Sequence, residues 1–141
     1  TDEKFLNLSG GVGEGVWGLS LWPDPVNSQD PAVVEYRNIV NQYGKDKDKT
    51  PNRYSLFGYY YAKLFVEGLK RAGRDVTRES YIAALEGIKN WESGIAPPVS
   101  FSATNHLAQN SGFMVEVRQS VFRPISGWLT LQDGTLVPLK Q

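Results

Sequence analysis

The chain has 141 residues and a mass of 15.7 kDa, the size of one ordinary domain or a large part of one. Fifteen Lys and Arg balance fifteen Asp and Glu. The formal net charge is therefore zero, which argues against a nucleic-acid binder with its basic excess and against electrostatic docking on an acidic membrane surface. Cysteine is absent, so disulfide frameworks, thiolate nucleophiles, zinc–thiolate sites and iron–sulfur clusters are excluded, and no apolar run approaches the roughly 18 residues of a membrane span.

Residues 1–13 are polar and end in Ser9-Gly10-Gly11-Val12-Gly13, which reads as a loop. Val16-Trp17-Gly18-Leu19-Ser20-Leu21-Trp22 is a short apolar, aromatic run stopped by Pro23 and Pro25, which predicts a buried strand. Asp30-Pro31 starts a helix, with Asp at the N-cap and Pro at the first helical position. Val33, Tyr36, Val40 and Tyr43 form its stripe, and Gly44 ends it. Lys45-Asp46-Lys47-Asp48-Lys49 reads as a solvated loop. A second helix is predicted from Tyr54 to Ala72, with Phe57, Tyr61, Leu64, Phe65, Gly68 and Leu69 as its apolar face. Thr77 caps a third helix carrying Tyr81, Ile82, Leu85 and Ile88. Beyond residue 96 the period changes to two. Val99-Ser100-Phe101 reads as a short strand, residues 113–117 and 121–125 as an antiparallel pair, and residues 128–131 and 136–137 as a hairpin around Asp133-Gly134.

Few motifs carry chemistry. Gly13-Glu14-Gly15-Val16-Trp17-Gly18 fits G-x-G-x-x-G, but a dinucleotide site needs a strand before it and a helix after it; here a loop precedes it and a strand follows. Asp46-Lys47-Asp48 opens like a calcium loop, yet Pro51 and Phe57 stand where Gly and Glu are required. His106 is the only histidine and reads as part of a turn. Asn7-Leu8-Ser9 is a glycosylation sequon, meaningful only in a eukaryotic secreted protein. No nucleophile–base–acid set can be assembled, so the chain is not read as an enzyme; no catalytic residue, cofactor or metal site is assigned. The aromatic load is the informative feature: 4 Trp, 7 Tyr and 6 Phe. Tyr59, Tyr60 and Tyr61 cannot share one helix face, because successive residues lie about 100° apart. At least one of them faces water, a ligand or a partner, and together with Tyr54 they can form an aromatic wall.

The series Glu14-Gly15-Val16-Trp17-Gly18-Leu19-Ser20, Asp30-Pro31-Ala32-Val33, Pro51-Asn52-Arg53-Tyr54, Gly58-Tyr59, Ala62-Lys63-Leu64 and Leu69-Lys70-Arg71-Ala72-Gly73 resembles the periplasmic solute-binding proteins of the branched-chain amino-acid ABC transporter type. Leu85-Glu86-Gly87-Ile88, Pro98-Val99-Ser100-Phe101-Ser102 and Met114-Val115-Glu116-Val117 continue it in the same order, over roughly residues 10–130. The resemblance implies the type I periplasmic binding fold, an α/β architecture of two lobes joined by crossing segments. A ligand is held between the lobes, and a membrane permease receives it. The chain corresponds to the C-terminal portion. Residues 14–22 become a hinge-crossing strand, 30–96 the helical part of one lobe, and 97–141 the C-terminal strands. Tyr54 resembles a position facing the ligand's side-chain end, and Trp22 at the hinge exit is a second candidate. The polar anchors for an amino-acid head group belong to upstream segments. Tyr60 departs from the family, where Asp is frequent, and the tail from Gly127 is long.

The resemblance implies an extracytoplasmic location: the periplasm, or the outer face of a Gram-positive membrane. The ligand is expected to be a branched-chain or other hydrophobic amino acid, or an aromatic or aliphatic carboxylate. The alternative is the ligand-binding ectodomain of a membrane sensor with the same fold. Without an upstream sheet to cover Tyr61, Leu64, Phe65 and Leu69, the isolated chain is expected to self-associate. Sedimentation of the 141-residue chain should give a dimer or larger species. A stable monomer at high concentration with little dye-detected apolar surface contradicts this.

Overall fold

The computed structural model describes residues 3–45, 50–107 and 109–139. Most of the charged loop read at 45–49, and with it the rejected calcium-loop start at Asp46, lies outside the described residues. The elements run α1 (Glu3–Leu8), β1 (Trp17–Ser20), α2 (Pro31–Tyr43), α3 (Arg53–Ala72), α4 (Arg78–Glu86), β2 (Ser111–Arg118), β3 (Val121–Pro124), β4 (Leu129–Gln132) and β5 (Thr135–Pro138). They form two compact units: Thr1–Asp24 with Asn110–Gln141, and Pro25–Gln109. The mixed α/β class expected from the sequence is the one observed.

The first unit is a five-stranded antiparallel sheet built on β2, which pairs with β1, β3 and β4, while β5 extends β4. Trp17 lies opposite Glu116, and Ser20 opposite Phe113. Alternation along β2 buries Phe113, Val115 and Val117, as a half-covered strand requires. Both expected hairpins form. Gln119 and Ser120 turn the first with φ of 55° and 56°, and Asp133 and Gly134 the second with φ of 48° and 78°. Two successive left-handed residues match the twist of the flanking strands. At Gln119 and Ser120, which carry side chains, the Glu14 carboxylate accepts both turn N–H groups, at 2.8 and 3.4 Å.

Two expectations fail in this unit. β1 forms, but not as a buried strand: Trp17 is 66% exposed and Leu19 45%, because it is an edge strand paired with β2, and of its four residues Ser20 is the buried one. Residues 3–8 are helical rather than loop. Glu3 to Leu8 contains neither Gly nor Pro, and Glu, Lys and Leu favour helix. The Gly-rich run that read as loop begins only after Ser9, whose Oγ donates to the Leu6 carbonyl at 3.0 Å, before Gly10 and Gly11 turn left-handed.

The second unit holds α2, α3 and α4 close to where the sequence puts them. Pro31 opens α2, but Asp30 does not cap it by side chain; its carboxylate accepts from Ser28 Oγ at 2.7 Å instead. Thr77 caps α4 through a reciprocal exchange with Ser80. Val99-Ser100-Phe101 does not become a strand. Val99 exchanges one antiparallel bridge with Trp91, and the Phe101 N–H reaches the Ile88 carbonyl at 2.9 Å. Pro97 and Pro98 precede it and have no N–H with which to extend a ladder. Lys89 donates to the Phe101 carbonyl and holds the segment down. Leu64, Ile88, Val99 and Phe101 make a core cluster, with Leu85 and Trp91 packed on it.

The buried face of α3 agrees with the expected one at Leu64 and Gly68 and departs from it at the aromatic residues. Leu56, Tyr60, Leu64 and Gly68 are buried, while Phe57, Tyr61 and Phe65 are exposed. Aromatic and aliphatic residues surround this helix, so periodicity alone leaves its phase open. The phase is fixed at Gly68, where α4 comes so close that an added Cβ would stand 2.6 Å from Tyr81 Cε2 and 2.8 Å from Leu85 Cδ2. Gly58, on the same helix, has nothing within 4 Å of such an atom.

The two glycines should therefore respond oppositely to alanine. Gly58→Ala should stabilise by about 0.5–1 kcal/mol through helix propensity. Gly68→Ala should destabilise by about 1 kcal/mol or more, because overpacking of about 1–3 kcal/mol exceeds that gain. Denaturant melts of both variants check this; equal stabilisation would contradict the close approach.

Candidate functional site

The first turn of α3 is held from two directions. Asn52 precedes it in an extended conformation, φ −145° and ψ 166°. Its side-chain oxygen accepts the Ser55 N–H at 3.0 Å, and Ser55 Oγ accepts the Asn52 N–H at 3.4 Å, a complete capping box. A third group enters from α2. The Tyr36 hydroxyl lies 2.5 Å from Ser55 Oγ, accepts the Asn52 N–H at 3.0 Å and lies 3.1 Å from the Asn52 carbonyl. The Ser55 hydroxyl can also donate to that carbonyl at 3.1 Å. Two hydroxyl protons thus serve two hydroxyl oxygens and one carbonyl, satisfied whichever way they run. Tyr36 is 1% exposed while Asn52 and Ser55 are half-buried, so these bonds are partly shielded from water.

This frame carries Tyr54, the second residue of α3, which is 69% exposed. Phe57, Tyr61 and Phe65 follow at spacings of three, four and four and continue one exposed aromatic stripe. The Phe57 and Tyr61 rings lie 4.5 Å apart, and Phe65 meets Tyr81 at 5.4 Å. Of the three consecutive tyrosines, Tyr60 is fully buried and packs edge-on to Tyr61 and Trp91. Burial pushes its pKa up to about 12, with Tyr61 adding to the effect. Tyr59 packs on Tyr36 at 5.7 Å, with the Lys63 ammonium 5.5 Å from its ring. Its pKa also rises to about 12, first through burial and then through the hydrogen bond to Glu35 and that carboxylate's charge. Both hydroxyls are therefore neutral near pH 7.

The second sequence candidate, Trp22, sits in the bend after β1 and is 6% exposed; its carbonyl accepts from Ser20 Oγ at 2.8 Å. It belongs to the first unit and Tyr54 to the second. The first unit also has an open concavity of about 690 Å³, lined by Glu14, Gly15, Glu116, Val117, Arg118, Gln119 and Arg123. Glu116 pairs with Arg118 at 2.6 Å and faces Arg123 across the strands, and Glu14 is spent on the hairpin turn. His106 pairs with Glu86 at 2.9 Å at the end of α4. Sequence reading missed Tyr36. The Asn52-x-x-Ser55 spacing announces a capping box, but nothing local announces a partner 16 residues upstream.

The fold matches solved structures closely. A branched chain amino acid ABC transporter from Thermus thermophilus, solved with bound valine, aligns with TM-score 0.81 and 18% identity over 92% of this chain and 37% of that one. A possible leucine/isoleucine/valine-binding protein from Rhodopirellula baltica SH 1 aligns with TM-score 0.74 and 23% identity over 89% of this chain and 33% of that one. The chain thus spans about a third of either neighbour's length. No curated protein matches it in sequence. No helix among the described residues is long and apolar enough to cross a membrane. The periplasmic binding protein family matches residues 1–121, which is most of the chain, and the chain belongs to that family.

Proposed function

We propose that the chain is part of the extracytoplasmic solute-binding component of an ABC uptake transporter, located in the periplasm or tethered outside a Gram-positive membrane. The ligand is a branched-chain or other hydrophobic amino acid, or a similar small carboxylate, closed between two lobes and passed to a membrane permease. No bond is made or broken; the work is the stronger binding of the ligand by a closed state than by an open one. Residues 14–22 serve as the hinge-crossing strand, 30–96 as the helical part of one lobe and 97–141 as the C-terminal strands. The observation that carries the reading is the exposed Tyr54 ring on the capped first turn of α3, on a fold whose neighbour was solved with valine. Trp22 is the second proposed ligand-side residue. Alone, the chain would self-associate through the exposed Phe57, Tyr61 and Phe65 rather than through Leu64, which is buried.

Replacing Tyr54 tests this in the complete gene product. Tyr54→Ala should weaken amino-acid binding by about 1–3 kcal/mol, roughly 10- to 150-fold, the value of one buried aromatic contact. Tyr54→Phe should lose less than about 1 kcal/mol, since the hydroxyl stays wet. Ligand-free stability of Tyr54→Ala should stay within about 0.5 kcal/mol, because the side chain is exposed. Trp22→Ala differs: deleting a ring that is 6% exposed should lower folding stability by about 3–5 kcal/mol. Calorimetry and thermal melting separate the outcomes. A Tyr54→Ala protein that melts far lower yet binds normally would show Tyr54 to be structural.

A further inference from the structure

A tyrosine buried inside a helix pair normally contributes its ring, and its hydroxyl finds whatever partner is near. Tyr36 does something narrower. Its ring is closed to water, yet its hydroxyl reaches the one residue that sets where α3 begins, touching Asn52 N, Asn52 O and Ser55 Oγ at 3.0, 3.1 and 2.5 Å. A capping box alone fixes only the first turn relative to its own helix. The Tyr36 bonds fix that turn relative to α2, and Tyr54 lies between the two residues they hold. The Tyr36–Tyr59 ring contact at 5.7 Å adds a second point one turn further along α3.

We propose that Tyr36 is a positioning residue for ligand binding: its hydroxyl, acting through Asn52 and Ser55, sets the place of the Tyr54 ring. The proposal rests on the reading of Tyr54 as a ligand contact. A group that holds a ring in place lowers what the ligand must spend on ordering it. Loss of the hydroxyl therefore acts on affinity through Tyr54, and not on the rest of the site.

The test is a double-mutant cycle in the complete gene product, titrated by calorimetry with L-valine, L-leucine and L-phenylalanine and followed on the tightest of them. Tyr36→Phe keeps the ring and removes the hydroxyl. It should weaken binding by about fivefold, within the range of coupled neighbours. Amide exchange at Asn52 should quicken, because its N–H loses an acceptor. In the Tyr54→Ala background the same change should alter affinity less than about twofold. Ser55→Ala, which leaves the buried tyrosine untouched, should repeat the pattern and carries the test should Tyr36→Phe fold poorly.

A Tyr36→Phe protein with a lower melting temperature and unchanged affinity overturns the proposal, as does an equal loss in both backgrounds. If Tyr54→Ala alone leaves affinity unchanged, or if none of the three amino acids binds, the reading of the site itself fails and the proposal falls with it.

Discussion

A phenolic hydroxyl shut away from water must find partners within the protein or destabilise the fold by roughly 1–3 kcal/mol. Tyr36 finds them at Asn52, the residue from which the longer helix α3 starts. Much else in the second unit follows from that anchor. With its start pinned, α3 runs its twenty residues in one direction, Leu56, Tyr60 and Leu64 turn inward, and Gly68 arrives where α4 can close on it. The same phase turns Tyr54, Phe57, Tyr61 and Phe65 outward. The exposed aromatic stripe is thus the other side of a packing choice.

The first unit solves a different problem. β2 accepts partners from three other strands, which is possible because its eight residues outlast each of them. Its tight turn to β3 places two side-chain-bearing residues in the left-handed region, a conformation that local sequence does not favour at Gln119 and Ser120. Glu14 compensates by accepting both N–H groups, and Gly15 and Val16 add backbone bonds to Val117. The segment entering β1 and the far hairpin are therefore one structural piece. That suits a proposed hinge-crossing strand, which should carry motion between lobes without coming apart itself.

Much of this was legible in the sequence, for local reasons. Asp30-Pro31, Asn52, Thr77 and the glycines after the helices mark ends by their own backbone chemistry, and Asp133-Gly134 marks a hairpin. What failed had both local and distant causes. On α3, Leu64 and Gly68 were read correctly, but aromatic residues on a neighbouring face drew in Phe57, Tyr61 and Phe65, which are exposed. Phe101 read as strand because its neighbours favour β structure, but two prolines leave it no ladder to join. α1 was hidden by the glycines that follow it. At the site, Tyr54 was named by resemblance alone, whereas Tyr36 read only as one member of a helical stripe. Its role lies in a hydroxyl that periodicity cannot see.

The central claim is that the α3 start, held by Tyr36 and presenting Tyr54, faces the ligand of a solute-binding protein. The most direct measurement is a crystal structure of the complete gene product grown with a hydrophobic amino acid such as L-leucine. The account predicts the ligand's side chain in contact with the Tyr54 ring, within about 4 Å, with the Tyr36 hydroxyl still bonded to Asn52. A bound ligand that leaves Tyr54 covered by protein or facing open water, with no contact to the first turn of α3, would contradict it.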